Sequence, residues 1–496
     1  VHGLDAVVVK SKLPKTIIRD GGVITTVNGS ILEKAGNIYN LLDKIPQLIV
    51  QENKIEVFGR GEPIVYINGR LVRDMTELER LQSEDVKFIE VINNPGARYE
   101  ASAKAVVRIS LKNKAGEGLG ANVRSYGAIN EKNRTSGYEQ LNLNYLKGGF
   151  GISATLYARE SHRQSDKNLQ QLTFTDNTWR QVSNFEREGR YRQLYSRLEA
   201  TYQIAPNHAV GTSISYNRMP SNKGVANMKS MVFYDLQLTE NSFSKIWTPE
   251  QVSSVTNNMY YVGKIGKVGF DFNLDWLWNK KKESSMTQEA YQEIEKEEQN
   301  ILVDSKNNTK NNLVASKLLV TIPCLKGVIS VGGEYSKCNR DNNYIIQPIG
   351  VLEDKDGRIE ESLASAFWDY SRKIGALKLQ LGLRYELLNY NYHENESNKF
   401  NQSHVYRNFL PSFMLSLSLG NWQMQLGHGT DIQRPSYYAM RNSIQYDNKY
   451  TYEAGNPYLV SQLSRNVSYD ISYKWMSVNM MYSHISDPLL LYSQSY

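Results

Sequence analysis

From about residue 117 onward, hydrophobic and polar residues alternate with a period of two along most of the chain. The segment 270–278 shows the pattern most clearly, because every second side chain is apolar: Phe270, Phe272, Leu274, Trp276 and Trp278. The segments Leu377 to Tyr385 and Tyr469 to Trp475 repeat it. A helix could not keep the two faces separate. The alternation therefore predicts β-strands with one apolar face.

The connections between these strands alternate between short and long. Tight turns rich in Gly or polar residues are expected near 147–149, 205–207, 263–266, 325–327, 373–375, 420–421 and 475–477. Long polar segments, interpreted as loops, lie between them at 160–189, 219–251, 280–310, 339–361, 389–404 and 432–463. Short turns at one end and long loops at the other are typical of bacterial outer-membrane barrels.

Residues 115–496 are accordingly predicted to form a transmembrane antiparallel β-barrel of about fifteen strands. Bacterial barrels normally have an even number of strands, and plugged ones have about 22. The segment that follows Ser486-Asp487-Pro488 lacks the clean alternation of a closing strand. We therefore expect a barrel that is truncated by roughly seven strands or closes in an unusual way.

Residues 13–114 predict a separate small α+β domain. Short helices are expected at 31–35, 38–45 and 75–81, and strands at 54–58, 64–67, 70–72, 87–92 and 106–112. Asn68-Gly69 joins two of these strands, and this pair best tolerates the two positive φ angles of a type I′ hairpin turn. The sequence leaves open whether this turn is structural or faces an incoming ligand.

Composition is compatible with this architecture. The mean hydropathy of −0.51 argues against membrane-spanning helices, and no apolar run approaches the roughly 18 to 20 residues that such a helix needs. Strands that alternate lipid-facing and lumen-facing residues dilute the average hydropathy, and the 33 Tyr fit aromatic girdles at the two membrane interfaces. The net charge of +7 is spread along the chain, so no nucleic-acid partner is expected.

Motifs for enzymatic chemistry are missing from the sequence. It contains no His-Glu-x-x-His, Cys-x-x-Cys, Gly-x-Ser-x-Gly or P-loop pattern, so no catalytic residue is predicted. The seven His have no ligand spacing, so neither a metal site nor a cofactor is expected. The Glu-rich stretch Tyr291 to Asn300 could chelate a cation, but it is more typical of a solvated loop. The chain does not open with a signal peptide, so Val1 is interpreted as a mature start or an internal position of a longer protein.

Three segments carry a family resemblance. Leu4 to Lys12, "LDAVVVKSK", is similar to a TonB box, and Phe88 to Lys112 looks like the end of a plug domain that leads into the first barrel strand. Arg434 to Trp475 is similar to a late extracellular loop and the strand that follows it. With these motifs the chain resembles the TonB-dependent outer-membrane receptors, particularly their Bacteroidota-type members. The resemblance assigns residues 13–114 to a plug inside the barrel, with a plug motif formed by Asn68, Gly69, Glu90, Pro95, Gly96 and Tyr99.

The sequence also departs from the better-known receptors. Ala105-Val106 stands where many plugs have Gly-Gly, and Asn94-Pro95-Gly96 replaces an Arg-Gly-Pro sequence. The substrate of the well-known siderophore receptors therefore cannot be carried over. Iron chelates, cobalamin, haem, oligosaccharides and peptides all stay open as ligands.

The resemblance implies energised uptake of a scarce small or oligomeric ligand. The TonB complex of the inner membrane would pull on the N-terminal segment 1–12 and rearrange the plug. A short β-branched run can add as a strand to a partner's exposed sheet edge, so the candidate TonB contacts are Asp5, Ala6, Val7, Val8 and Val9. The alternative is that this run is an ordinary first plug strand.

Candidate ligand contacts are aromatic residues of the long loops: Trp179, Trp247, Tyr344, Tyr437 and Tyr438. Each could instead belong to the aromatic girdle of the barrel rim. Arg60 and Arg98 are expected to pair the plug with barrel-wall carboxylates, with an anionic ligand as the alternative. Outer-membrane lipid and a surface lipoprotein complete the candidate partners.

Two other functions compete with uptake. An outer-membrane barrel could serve binding, adhesion or complex assembly without energised transport. A passive porin is disfavoured, because a folded plug would block the pore.

Overall fold

The computed structural model shows an N-terminal α+β domain packed against one large antiparallel sheet. It describes residues 13–19, 22–51, 54–58, 60–72, 75, 78, 81–93, 95–112, 117–174, 177–348, 354–395, 401–441, 443–473 and 476–491. The candidate TonB contacts at 5–9 lie outside the described residues. Within the described part of the chain, no helix is long and apolar enough to cross a membrane.

The N-terminal domain, called the plug below, is built on a six-stranded sheet in the order β1-β2-β7-β8-β5-β6. Strands β5 and β8 run parallel, whereas the other described neighbours in this sheet are antiparallel. A separate hairpin pairs β3 with β4. The strands are β1 (Thr16–Arg19), β2 (Gly22–Thr26), β3 (Leu48–Gln51), β4 (Lys54–Val57), β5 (Ile64–Ile67), β6 (Arg70–Leu71), β7 (Val86–Ile92) and β8 (Val106–Leu111).

Helical structure in the plug is shorter than expected. Ile31–Lys34 and Ser83–Asp85 are single 3₁₀ turns, and α1 covers only Ile38–Leu42. Asn37 caps α1, because its side-chain oxygen accepts the N–H of Asn40 at 2.8 Å. The buried face of α1 packs into one apolar core with residues of the sheet: Ile38, Leu41, Leu42, Val65, Ile89 and Val107. Burial of this face holds a helix that is too short to be stable alone.

The second part of the chain confirms the predicted sheet of fifteen strands, in which neighbours along the sheet are antiparallel. The strands are β9 (Gly118–Ile129), β10 (Thr135–Lys147), β11 (Phe150–Phe174), β12 (Thr178–Ala205), β13 (His208–Tyr234), β14 (Gln237–Ile265), β15 (Val268–Glu293), β16 (Gln299–Cys324), β17 (Gly327–Gln347), β18 (Lys355–Ile374), β19 (Leu377–Glu394), β20 (Gln402–Leu419), β21 (Trp422–Gln433), β24 (Gln462–Tyr473) and β25 (Met476–Ser486). A two-stranded hairpin of β22 (Ile444–Asn448) and β23 (Thr451–Ala454) lies between β21 and β24 in the chain.

The sheet has two edges, because in the described residues β9 and β25 each pair with one neighbour only. The fifteen strands therefore form an open wall around the plug. Closure by further strands stays a prediction.

Most of the segments interpreted as long loops are in fact strand. Residues 160–189, for example, belong almost wholly to β11 and β12, and the connection between these two strands covers only 175–177. Strands β11 to β16 have 25 to 29 residues, or about 85 to 100 Å at roughly 3.4 Å per residue. A membrane-spanning strand needs only about 9 to 11 residues, so these strands rise far beyond the bilayer.

Hydrophobic and polar residues do not alternate in the parts of β11 to β16 that lie beyond the bilayer, because neither face of the strand contacts lipid there. Polar side chains then occupy both faces, while the backbone ladder between β11 and β12 continues unbroken to their tips, as in the pairing of Lys167 with Phe185. Only 432–463 keeps a long loop, and it contains the hairpin β22–β23.

The short connections fall where they were predicted. Gly148-Gly149 and Leu325-Lys326 join their strands through two consecutive residues of positive φ, the geometry that two-residue hairpins favour. Cys324 precedes the second of these turns and Cys338 lies within β17, and both are free thiols. Following the rule for bacterial barrels, we take the short-turn end as periplasmic and the opposite end as extracellular.

Candidate functional site

The plug meets the barrel wall through its loop 95–104. Gly96 lies so close to the wall that a Cβ added there would be 2.9 Å from Oδ1 of Asp369 and 2.8 Å from Nε2 of Gln380. On the wall, a Cβ at Gly382 would come within 3.1 Å of the Cβ of Ala97. The two glycines therefore permit the close approach, which gives Gly96 of the predicted plug motif a physical role.

Backbone and side-chain bonds fix this loop in place. Ile432 N–H donates to the carbonyl of Ala101 at 2.8 Å, and Ala101 packs in an apolar cluster with Leu410 and Ile432. Lys104 Nζ donates to Oε1 of Gln433 at 2.6 Å, and Lys317 Nζ donates to the carbonyl of Arg98 at 2.7 Å. Direct plug-to-wall bonds thus run along the whole loop.

Arg60 lies near barrel carboxylates, as expected. Burial lowers the pKa of its guanidinium, and the charges of Asp431 and Asp470 partly offset this effect. Arg98 lies near Asp369 of the wall, which it contacts through a backbone hydrogen bond and through the charge of its guanidinium, and the guanidinium lies 5.3 Å from the centre of the Tyr99 ring. Arg60 and Arg98 therefore both lie close to wall carboxylates, as the predicted pairing requires.

A buried charge network lies on the wall beneath the plug loop. Nε of Arg384 donates to Glu386 at 2.6 Å, and its Nη2 donates to Glu334 at 3.1 Å. Arg434 Nη2 donates to the second oxygen of Glu386 at 2.6 Å. This network was not predicted, because single Arg and Glu residues in alternating strands have the same sequence pattern as any other lumen-facing polar residue.

The other residues of the predicted plug motif have structural contacts. Glu90 accepts a bond of 2.9 Å from Arg108 on the adjacent strand, and the Tyr99 ring packs edge-on against Tyr66 with 5.7 Å between centroids. Asn68 and Gly69 both have positive φ, which fits the predicted hairpin turn, and the Asn68 side-chain oxygen accepts the N–H of Leu111 at 2.9 Å.

The Asn68-Gly69 turn lines a cavity of about 800 Å³ between the plug and the wall of β9–β15. Asn122, Glu199 and Asp271 are among its polar wall residues, and each lies in the half of its strand that is closest to the short turns. The turn therefore faces the periplasmic half of the lumen. Its position answers the question that the sequence left open and argues against a role as an apex for arriving ligand.

At the extracellular end, the segment 434–461 folds into the lumen, and we call it the strap. Two of the predicted ligand residues hold it at its base. Tyr344 donates to the carbonyl of Ile444 at 3.3 Å, and Tyr437 donates to Glu361 at 3.4 Å. Burial raises the pKa of Tyr437, which keeps this phenol a neutral donor. The exposed Tyr438 stacks on Arg441, with 3.6 Å between the guanidinium carbon and the ring centre.

The tip of the strap contacts a distant part of the wall. Lys449 Nζ lies 2.6 Å from Oε2 of Glu240 and 3.6 Å from Oε1 of Glu293. Tyr450 donates to the same Glu240 oxygen at 2.8 Å, and Tyr446 donates to Glu289 at 2.5 Å. Strands β16 to β20 separate β15 from the strap's root on β21. The three strap residues lie within the predicted loop motif Arg434 to Trp475 and Glu293 within the Glu-rich stretch, whereas Glu240 and Glu289 were not predicted as contacts.

The two predicted tryptophans lie apart from the strap contacts described here. Trp179 follows the β11–β12 tip and packs against Tyr234 at 4.8 Å between ring centres. Trp247 lies along β14, where Lys245 Nζ is 5.1 Å from its ring centre. The five predicted aromatic residues therefore do not converge on one site.

Comparisons with known proteins agree with this geometry. Residues 262–490 match the model of the outer membrane protein beta-barrel family. Comparison with curated protein sequences gives no significant match.

Solved structures with the same architecture cover nearly the whole chain. The alcaligin outer-membrane receptor of Bordetella pertussis has 9% identity and a TM-score of 0.53, covering 94% of this chain and 70% of its own. The ferric enterobactin receptor of Pseudomonas aeruginosa, solved as a mutant, has 15% identity and a TM-score of 0.54, with coverages of 94% and 71%. A copper transporter has 9% identity and a TM-score of 0.59, with coverages of 96% and 73%.

The chain has the fold of a TonB-dependent outer-membrane receptor. The plug and the outer-membrane β-barrel expected from the resemblance are thereby confirmed. The solved neighbours include receptors and a transporter, and none of the three is described as an enzyme.

Proposed function

We propose that this receptor takes up a scarce ligand through its plugged barrel, driven by the TonB complex of the inner membrane. The observation that carries the proposal is the plug seated directly on the wall, because a barrel blocked in this way passes a ligand only if the plug moves. The bonds of Ala101, Lys104 and Arg98 to the wall are the contacts that must yield.

The N-terminal segment 1–12 is proposed as the handle for this movement, with Asp5 to Val9 as the strand that pairs with TonB. Alcaligin, ferric enterobactin and copper are named for the three neighbours above. A metal chelate is therefore one ligand class to test here, beside vitamins, glycans and peptides.

Deletion of residues 4–10 tests the proposal. We expect uptake of the ligand into cells to be lost while surface binding by intact cells is unchanged, because the plug-to-wall contacts described above are made by other residues and stay in place. A chain in which residues 4–10 are replaced by a scrambled order of the same residues serves as the matched control and should behave like the deletion. Normal uptake by the deletion variant would contradict coupling through this segment.

Binding or complex assembly without transport is the second candidate. The strands that extend far beyond the bilayer favour it, because they build a large exposed surface. Accumulation of ligand at the surface with no uptake in either the wild-type chain or the deletion variant would support this alternative.

A further inference from the structure

The wall contact of the strap has the chemistry of a receptor for a positively charged group. Lys449 Nζ lies between the carboxylates of Glu240 and Glu293 and 3.8 Å from the centre of the Tyr291 ring. Carboxylates and an electron-rich ring face are the two groups that bind ammonium ions best in proteins. Glu240 and Glu289 are each only 1% exposed, so the wall and the strap together keep both carboxylates out of water.

Lys449 does not satisfy all of the hydrogen-bonding atoms at this site. Within the described residues, Oε1 of Glu240 and Oγ of Ser244 are buried without a hydrogen-bond partner. Ser244 lies four residues from Glu240 on β14 and pairs directly with Glu289 of β15, so it belongs to the same face of the wall. A cation with several N–H donors could satisfy these acceptors as well as the oxygens that Lys449 contacts.

The strap reaches this site from far away. Six steps along the sheet separate β21 from β15, or about 29 Å of wall at roughly 4.8 Å per strand. The hairpin β22–β23 ends at its tip in Asn448, Lys449 and Tyr450, which places the Lys449 ammonium group 2.6 Å from Glu240 and 3.6 Å from Glu293. The contact therefore crosses the lumen on the extracellular side of the plug.

We infer that Glu240, Glu293 and Tyr291, with Ser244 beside them, form a binding site for a cationic ligand, and that Lys449 occupies it until the ligand displaces the strap. The inference rests on the proposed uptake function and names its substrate class as one bearing primary ammonium or guanidinium groups. Displacement of Lys449 would release the strap tip and open the path toward the plug.

Because Lys449 competes with an added cation for this site, its removal should change the affinity for that cation. Removal of Lys449 should make an added cation bind more tightly, since the ligand no longer competes with a group tethered to the same chain. We use trilysine as the probe and measure its binding to the purified full chain in detergent micelles by isothermal titration calorimetry. Trialanine and triglutamate are the neutral and anionic controls.

We expect the Lys449→Ala variant to bind trilysine at least about tenfold more tightly than the wild-type chain. In the Lys449→Ala background, Glu240→Gln should abolish binding, because it removes the principal carboxylate. Lys132→Ala is the matched control, since Lys132 is also an extracellular lysine paired with a glutamate, Glu188, and it should leave the affinity unchanged. Lys449→Arg keeps the internal cation and should resemble the wild type.

Equal trilysine affinity in the Lys449→Ala and wild-type chains would overturn the inference, as would equal binding of trialanine. Heat-dependent gel mobility shows whether each variant is folded before titration. The measurement needs neither TonB nor uptake, so the deletion of residues 4–10 should not change it. Failure of the cation site is therefore distinguishable from failure of the proposed transport function.

Discussion

Arg384 shows how a single residue can hold the wall together. Its side chain is 2% exposed and lies between Glu386, which is fully buried, and Glu334. An ion pair of this kind adds little net stability when compared with a well-packed apolar replacement, but loss of one partner leaves a buried charge uncompensated. A single substitution in the network therefore lowers the free energy of unfolding by more than the whole network contributes to it.

We expect Arg384→Met to lower the free energy of unfolding by about 3 kcal/mol, because the buried Glu386 would keep only Arg434 as a partner and Glu334 only Lys317 at 4.0 Å. Urea unfolding of the chain in detergent micelles, followed by tryptophan fluorescence, measures the change. Arg358→Met is the control, since its pair with Asp341 is about half exposed on both sides and should contribute within about 1 kcal/mol. Similar losses in the two variants would show that burial does not set the cost.

At the scale of elements, the direction of each long strand determines which of its two connecting turns lies outside the cell. The β13–β14 tip at 235–236 has positive φ at both residues, and Leu236 is 85% exposed. The turn after β14, by contrast, contains Gly266 with positive φ. If short turns are periplasmic, these two ends of one strand lie on opposite sides of the membrane.

A short epitope tag inserted between Asp235 and Leu236 should be detected by antibody on intact cells. The same tag inserted between Gly266 and Lys267 should be detected only after the outer membrane is permeabilised. Flow cytometry of the two strains measures this difference, and both tags lie in exposed turns that tolerate insertions. Surface labelling of the second tag would reverse the orientation assigned to the barrel.

Strands could be predicted from the sequence where one face lines the lumen and the other face points outward. In β15, Asp271 and Asn273 line the lumen cavity, whereas Phe272 and Trp276 stay exposed on the other face, so their alternation was visible. Above the bilayer both faces are polar, and strands were interpreted as loops. In the plug, β1, β2 and β3 were missed, although β4 and β5 are about as short and were predicted.

The functional contacts were harder to predict than the strands. Gly96 was recognised through family resemblance, yet its physical reason, the approach to Asp369 and Gln380, requires the position of β18 and β19. The strap contact depends on residues more than 150 positions apart, such as Tyr446 and Glu289. No local pattern encodes a contact of that separation, and without aligned relatives its partners could not be paired.

At the scale of the whole molecule, the plug and the wall are two bodies joined at the loop 95–104 and again where Arg124 of β9 pairs with Glu84 and Asp85 of the plug. The backbone bond between Ile432 and Ala101 limits the distance between their Cα atoms to about 7 Å, the sum of that bond and the covalent bonds beside it. A disulfide can span about this distance. This pair therefore offers a way to lock the plug in its seated position.

We expect the Ala101→Cys and Ile432→Cys double variant, in a background where Cys324 and Cys338 are replaced by Ser, to lose ligand uptake when oxidised and to regain it after reduction. Surface binding should be unaffected in both states, because the crosslink lies below the strap. Uptake of labelled ligand with and without dithiothreitol measures the effect, and each single Cys variant is a control. Full uptake by the oxidised, crosslinked chain would show that this contact does not have to open.

The long strands β11 to β16 also affect how much conformational entropy the protein loses when a ligand binds. A rim built from flexible loops must lose conformational freedom when it closes around a ligand, and this loss weakens binding. Here each backbone from β11 to β16 is already ordered by its ladder of hydrogen bonds with its neighbours. A ligand that enters this lumen therefore meets, along these six strands, a surface whose ordering was completed when the protein folded.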